Sequence, residues 1–294
     1  MPPAGARVAL VTGASRGIGR CAAVALARRG FDVVVTARTV REGDGRAQAS
    51  SVLVQSEPVP IAGSLETTAA EIEALGRRCL PVRMDLLDRA SVEDVADEAL
   101  AAWGRVDVLV NNAIYQGPGT MDRILDLPLE LAERCLVGDY LHPLLLTQLL
   151  LPQMLERGSG RLVNMLSEAA FTTPPAPAGA GGWGLAYAAA KAAFHRVTDM
   201  CHVEFAERGV LAFSIAPGLT LTESMRVSGT DQVLVRAGHV PAPPEIAGEV
   251  VAWLGDDAGA ARYAGQMVSS RSLCRELGLV AGWPPPRPAT KTPE

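Results

Sequence analysis

Tyr187 and Lys191 sit four apart in Tyr187-Ala-Ala-Ala-Lys191, a spacing that places both on one face of a helix. An ammonium beside a phenol favours the phenolate. A free tyrosine titrates near a pKa of about 10, and a neighbouring positive charge moves an acidic group by roughly 1–3 units, into the range of a general acid/base. A second constellation is Thr12-Gly-Ala-Ser-Arg-Gly-Ile-Gly19, set between the apolar run Arg7 to Val11 and the alanine-rich stretch Cys21 to Gly30. Glycine tolerates positive φ and has no Cβ, so the backbone at Gly13, Gly17 and Gly19 can turn tightly while a pyrophosphate approaches main-chain N–H groups. The helix that follows aims its N-terminal partial positive charge at the same anion. Strand, glycine loop and helix in this order read as a dinucleotide site, with Ser15, Arg16 and Ile18 on the same turn.

The second strand adds the ribose chemistry. Sites that prefer NAD usually end this strand with an acid for the ribose 2′-OH, whereas an arginine accommodates the 2′-phosphate of NADP. Here the strand ends Thr36-Ala37-Arg38-Thr39, and Arg16 lies inside the glycine loop. Two cations near one ribose point to NADP(H), with NAD(H) as the alternative.

The elements that must position these residues follow from periodicity. Short β-branched runs alternate with amphipathic helical patterns, which predicts an α/β, doubly wound parallel sheet of about seven strands with helices on both faces. Strands are expected at Val8 to Thr12, Asp32 to Ala37, Cys79 to Arg83, Val106 to Val110, Arg161 to Leu166, Leu211 to Ile215 and Gln266 to Val268. Leu65, Ala69, Ile72 and Leu75 mark a helix face closed by Gly76. Ser91 with Asp94 resembles a capping box opening the helix that ends near Trp103. Three stretches break the rhythm: the Gly/Ser/Pro-containing insertion Arg41 to Gly63, the Pro/Ala/Gly-rich loop Thr172 to Gly184, and the proline-rich end of the chain.

Composition bounds the function. The 294 residues, 48% of them hydrophobic, are enough for one α/β core, and the expected organisation is a single nucleotide-binding domain over 1–283 with a flexible Pro-rich tail at 284–294. A net charge of -5 and a pI near 5.5 argue against a nucleic-acid partner. Cys21, Cys79, Cys135, Cys201 and Cys274 show no C-x-x-C pair and read as small core residues in a reducing cytoplasm. His142, His195, His202 and His239 form no metal-binding spacing, so no metal is expected. The apolar segment Leu141 to Leu155 is interrupted by polar residues and two prolines and is too short to span a bilayer. It is expected to be a buried helix, and no membrane partner is expected.

The glycine loop, Asp85 after the third strand, Asn111-Asn112-Ala113 after the fourth, Ser167 after the fifth, Tyr187 with Lys191, and Pro217-Gly218 followed by Thr222 together resemble the ordered motif set of the short-chain dehydrogenase/reductase family. The insertion after Arg38 and the segment Ser272 to Pro288 are also similar to its dehydrogenase/reductase member 1-like branch. The resemblance implies a Rossmann-type fold and an oxidoreductase that interconverts a carbonyl compound and a secondary or primary alcohol. It implies that Tyr187 protonates the carbonyl oxygen while hydride arrives from the nicotinamide, and that Ser167 orients that oxygen. Asp85, Leu86, Asn112 and Ala113 would meet the adenosine end, and Pro217, Gly218, Thr220 and Thr222 the nicotinamide side.

One position departs from the pattern. The helix position where the family carries a catalytic asparagine is Asp139, in Val137-Gly138-Asp139-Tyr140. The expectation is that Asp139 enters the proton relay and pairs with Lys191. The Pro174 to Trp183 segment and a lid over 219–243 are expected to rim an apolar pocket lined by residues such as Phe171, Trp183, Leu219 and Met225. The resemblance also implies a homodimer or homotetramer through helices around Leu144 to Leu155 and Tyr187 to Glu207. Two other functions fit the same residues: a nucleotide-sensing or interaction protein with weakened catalysis, and a dehydratase or epimerase that retains its nicotinamide.

Overall fold

The computed structural model describes residues 5–54, 57–227 and 241–284. Its strands are β1 (Val8–Thr12), β2 (Asp32–Ala37), β3 (Arg46–Ala47), β4 (Val59–Pro60), β5 (Cys79–Arg83), β6 (Val108–Asn111), β7 (Gly160–Met165), β8 (Val210–Ala216) and β9 (Met267–Ser269). Seven of them form one parallel sheet in the order β5-β2-β1-β6-β7-β8-β9. β1 and β2 are buried at every position, as strands covered on both faces must be. β1, β2 and β5 have the expected bounds, while β6 to β9 are displaced from theirs by one or two residues.

The helices are α1 (Gly17–Arg28), α2 (Leu65–Ala74), α3 (Arg89–Trp103), α4 (Leu129–Leu136), α5 (His142–Arg157), α6 (Leu185–Phe205), α7 (Glu223–Val227), α8 (Pro244–Asp256) and α9 (Ser270–Leu277). Strand side chains alternate between two layers. Ala9, Val11, Val33 and Val35 pack in one core with Ala22 and Leu26 of α1 and Ile246 and Val250 of α8. Val8, Leu10 and Val34 pack in the other with Val92 and Val95 of α3, Leu146 and Leu150 of α5 and Phe194 of α6.

From β1 the chain moves outward to β2 and β5, then returns to the far side of β1 at β6 and continues to β9. Ligands of such sheets bind outside the C-terminal strand ends where the order reverses. Here that crevice lies between β1 and β6, between Thr12–Gly19 and Asn111-Asn112-Ala113.

Three local features differ from expectation. α3 is capped by the Asp88 carboxylate, which accepts from the Ala90 N–H; Ser91 lies inside the first turn and donates to the Asp85 and Asp88 carbonyls. The Arg41 to Gly63 insertion carries an antiparallel ribbon of β3 and β4 and is docked at its middle and at its C-terminal end. Its Ser51 hydroxyl and Val52 N–H donate to the buried Asp122 carboxylate, and the Arg16 guanidinium donates to the Ala62 and Gly63 carbonyls, both at 2.7 Å. Between α4 and α5 the helix widens into a single π turn, Val137–Leu141, which carries Asp139. Such turns reorient a side chain without ending the helix.

Of the segment expected to form a lid, 219–227 and 241–243 are described; positions 228–240, including His239, and 285–294, where a tail is expected, lie outside the described residues. Among the described residues no helix is long and apolar enough to cross a membrane.

Candidate active site

The glycine loop is shaped by contact. Gly13 and Gly17 adopt φ of +68° and +55°. A Cβ on Gly19 would lie 2.2 Å from the Gly13 carbonyl oxygen, and one on Gly13 would lie 2.9 Å from Ala113 Cα. No side chain fits between α1 and the end of β6. The Asn111-Asn112-Ala113 turn fastens this packing: the Thr12 hydroxyl accepts N–H bonds from Asn112 at 3.0 Å and Ala113 at 2.9 Å, and the Asn112 amide donates to the Thr12 carbonyl at 2.9 Å. Asn111 turns the other way, donating to the Thr147 hydroxyl and the Asn164 amide oxygen inside the protein.

A cavity of about 240 Å³ runs from this loop to the catalytic candidates. Gly13, Ser15, Arg16, Gly17, Ile18, Gly19, Arg38, Thr39, Asp85, Leu86, Asn112, Ala113, Tyr187, Lys191, Pro217 and Thr222 all line it. Gly218, Thr220, Ser167 and Asp139 are not part of its wall. Thr220 instead donates to the Pro217 and Gly218 carbonyls within its own turn, and Gly218 adopts a φ of +66° there.

The two expected ribose cations differ. Arg16 is occupied by the insertion, donating to Ala62, Gly63 and the Thr39 hydroxyl, and burial lowers its pKa against the opposing charges of Glu223 and Glu42. Arg38 is exposed at the end of β2 and forms no ion pair among the described residues. Of the pair, Arg38 is the guanidinium free to meet a ligand.

At the other end, α6 brings Tyr187 and Lys191 to the cavity one turn apart, with the ammonium 6.0 Å from the phenol ring centroid. Lys191 is 2% exposed, and its Nζ donates to the Met165 carbonyl at the end of β7, at 3.0 Å. Ser167 caps the short 3-10 turn Glu168–Ala170, accepting from the Ala169 N–H at 3.2 Å, while its hydroxyl also interacts with the Tyr187 phenol. Gly138 allows the π turn to come close, since a Cβ there would lie 2.9 Å from Tyr115 Cβ. Asp139 Oδ1 consequently accepts the Tyr115 N–H at 2.5 Å.

Two electrostatic expectations are corrected. Asp139 and Lys191 form no direct ion pair: each is held by backbone, and they interact through space. The Tyr187 pKa is raised, first by burial and then by the Asp139 charge, with the Ser167 interaction pulling it down. Desolvation sets the direction because the charged phenolate loses most when water is excluded. The same burial lowers the Lys191 pKa, opposed by Asp139, and pushes Asp139 up to about 6 against the pull of Lys191 and the Tyr115 N–H. Asp139 Oδ2 is buried with no hydrogen-bond partner.

The model of the short chain dehydrogenase family matches residues 7–51 and 47–232, a span that holds both ends of this cavity. The chain belongs to the short-chain dehydrogenase family. It is 31% identical over 263 residues to a 3-oxoacyl-[acyl-carrier-protein] reductase of Synechocystis, an alignment covering 89% of this chain and 94% of that one. It is 29% identical over 252 residues to L-rhamnose 1-dehydrogenase (NAD(P)(+)) of a Sphingomonas strain, covering 83% of this chain and 87% of the other. Among solved structures it resembles acetoin dehydrogenase YohF of Salmonella typhimurium, with a TM-score of 0.70, 27% identity and coverage of 90% and 94% of the two chains. It also resembles a 3-oxoacyl (acyl-carrier-protein) reductase of Agrobacterium tumefaciens with NADP bound, with a TM-score of 0.73, 25% identity and coverage of 90% and 92%.

The cavity of this dehydrogenase contains residues that its motifs do not announce. Met84, Leu87, Ile114, Tyr115, Gln116, Met165, Leu166 and Ser224 line it, each within three positions of a motif residue in sequence. Strand-end continuity was the available signal: Met84 precedes Asp85, and Ile114 to Gln116 continue the Asn111-Asn112-Ala113 turn. The expected aromatic and apolar rim does not belong to this cavity. None of Phe171, Trp183, Leu219 and Met225 lines the cavity among the described residues, and Phe171 is turned outward against the His195 ring.

Proposed function

We propose that this dehydrogenase interconverts a carbonyl compound and a primary or secondary alcohol with NADP(H), Tyr187 acting as general acid/base. The observation that carries the reading is the shared cavity: the glycine cradle at one end, the Tyr187 phenol and Lys191 at the other. The cradle at Gly13 and Gly19, closed to any Cβ, suits close approach of a dinucleotide backbone. When bound, the nicotinamide supplies or accepts the hydride.

The protein's own part is positioning and proton handling. A phenol whose pKa is raised holds its proton, which suits donation to a carbonyl oxygen in the reductive direction. Ser167, interacting with that phenol, would orient the same oxygen. Lys191 brings positive charge to the phenol from a fixed point on the Met165 carbonyl. Arg38 offers its guanidinium to a ribose 2′-phosphate, supporting NADP(H) over NAD(H), while Arg16 holds the insertion against the loop. Asp139 is a positioning residue, acting on Tyr187 and Lys191 by its charge.

Beyond the site, the five cysteines are all free, which fits a reducing cytoplasm. Met200 and Val203 stand 51% and 80% exposed on α6, an apolar face that supports a homodimer or homotetramer. One nucleotide domain over 1–283 fits the single seven-stranded sheet.

Purified protein incubated with NADPH or NADH and a panel of ketones and aldehydes tests the reading. Loss of reduced-cofactor absorbance that disappears in Tyr187→Phe supports it. Binding without turnover would favour the sensor alternative, and substrate conversion without net cofactor loss the dehydratase or epimerase.

A further inference from the structure

Glu223 opens α7, the first helix of the lid, and its Oε2 is buried with no hydrogen-bond partner. That oxygen faces the glycine loop: a Cβ built on Gly17 would lie 3.5 Å from it and 3.3 Å from Thr222 Cγ2. Gly17 is the first residue of α1, and the residue before it, Arg16, makes no side-chain capping bond. The carboxylate therefore stands against an uncapped N-terminus of a 12-residue helix. It interacts electrostatically with Arg16 and Arg20, both of which its charge favours in the protonated form.

A buried carboxylate oxygen without a donor is costly unless a field compensates it. Here the compensating field comes from the α1 N-terminus and two guanidiniums. A dinucleotide diphosphate depends on that same field. Two anions cannot be held by one helix N-terminus without repulsion.

We propose that Glu223 is an affinity-determining residue whose carboxylate sits in the anion seat of α1 and competes with the cofactor diphosphate for it. Binding of the diphosphate then requires the start of the lid to move, and Thr222 and Ser224, which line the cavity on either side of Glu223, move with it. The competition sets a ceiling on cofactor affinity and ties lid position to cofactor arrival. This rests on the reading of Thr12–Gly19 as a dinucleotide site.

Titration of the full chain with NADPH and NADH, followed by calorimetry, tests it. Glu223→Gln removes the charge at nearly constant shape, and the tighter of the two cofactors is expected to bind about two- to five-fold more tightly than to the parent, the range of one charge at a helix terminus. Glu223→Ala is expected to tighten binding in the same direction, so a folding defect in one variant leaves the other to decide. An adenosine fragment lacking the diphosphate is expected to bind parent and variants equally; adenosine 2′-monophosphate serves for NADP(H) and adenosine for NAD(H). Unchanged or weaker cofactor binding in both variants, or equal tightening of the fragment, would overturn the competition. A parent that binds neither cofactor would instead overturn the dinucleotide reading beneath it.

Discussion

At the Thr12–Gly19 end of the cavity a ligand meets main-chain groups and a solvent-facing guanidinium, whereas at the Tyr187 end it meets ionisable side chains that burial has moved from their ordinary titration ranges. The first end works by shape. Its specificity lies in where a Cβ cannot go, and the Arg38 charge stays near water, where it is worth little and is screened by salt. The second end works by charge in a dry setting, where burial shifts Tyr187, Lys191 and Asp139 and the Asp139 carboxylate acts on both of the others. Side-chain substitutions at the first end should therefore change which cofactor binds and how tightly, and those at the second should change how fast and at what pH the enzyme turns over.

The strongest test of that division is Tyr187→Phe. Removing the phenol oxygen deletes the proposed general acid/base and should lower kcat by about 10²- to 10⁴-fold. NADPH affinity should stay near that of the parent, because phenylalanine keeps the ring on α6 and the glycine loop is untouched. Comparable losses in kcat and in cofactor affinity, read by steady-state kinetics and calorimetric titration, would break the division outright.

Gly19→Ala asks the converse question at the shape-determined end. The added Cβ would sit 2.2 Å from the Gly13 carbonyl oxygen, so the loop must shift away from α1. Overpacking of this kind costs about 1–3 kcal/mol, which should appear as a lowered Tm and as weakened binding of both NADPH and NADH. A variant that binds both cofactors normally would mean that the cradle has slack that the contact geometry denies.

The two arginines sharpen the comparison within one end. Arg38→Ala should weaken NADPH by about tenfold, the loss of one charge-assisted contact discounted for exposure, and leave NADH unchanged. Arg16→Ala should instead weaken both cofactors alike and lower the Tm, because Arg16 is bonded to Ala62 and Gly63 and anchors the insertion. The ratio of NADPH to NADH affinity in the two variants decides between a ribose-reading and a scaffolding arginine at each position.

The same contrast explains what was legible in the residues beforehand. The glycine loop, the ends of β1, β2 and β5 and the cavity positions around them follow from local backbone demands, and local demands leave spacing patterns. The π turn at Val137–Leu141 has no such pattern, because it depends on Gly138 meeting Tyr115 across the fold. Ser91 misled for a related reason: Asp88 caps α3, and the serine that matched a capping box bonds backward to Asp85 and Asp88 instead. Arg16 read as a free cation because nothing local foretells that residues 62 and 63 fold back onto it. At the charge-determined end, the Tyr187 and Lys191 spacing reveals proximity but not burial, and burial sets the direction of the phenol's shift.

The smallest expected effect is also the most specific to the buried end. Asp139 has a carboxyl pushed up to about 6, chiefly by burial, so above that pH it carries a charge that raises the Tyr187 pKa. In alcohol oxidation Tyr187 must first lose its proton, and the rate climbs as pH rises through its pKa. Asp139→Asn keeps an amide oxygen for the Tyr115 N–H and removes the charge, so the climb should move to lower pH; in carbonyl reduction, where the phenol must hold its proton, the falling limb should move the same way. The displacement should itself depend on pH. Below about 6 the parent's carboxyl takes up a proton and its charge is gone, so the two enzymes should behave alike there and diverge only above it. Parallel pH–rate profiles in both directions measure this. Profiles that superimpose at every pH would show that the buried carboxylate does not reach the phenol, leaving Asp139 as a backbone anchor for Tyr115 and the catalytic end closer in kind to the shape-built cradle opposite it.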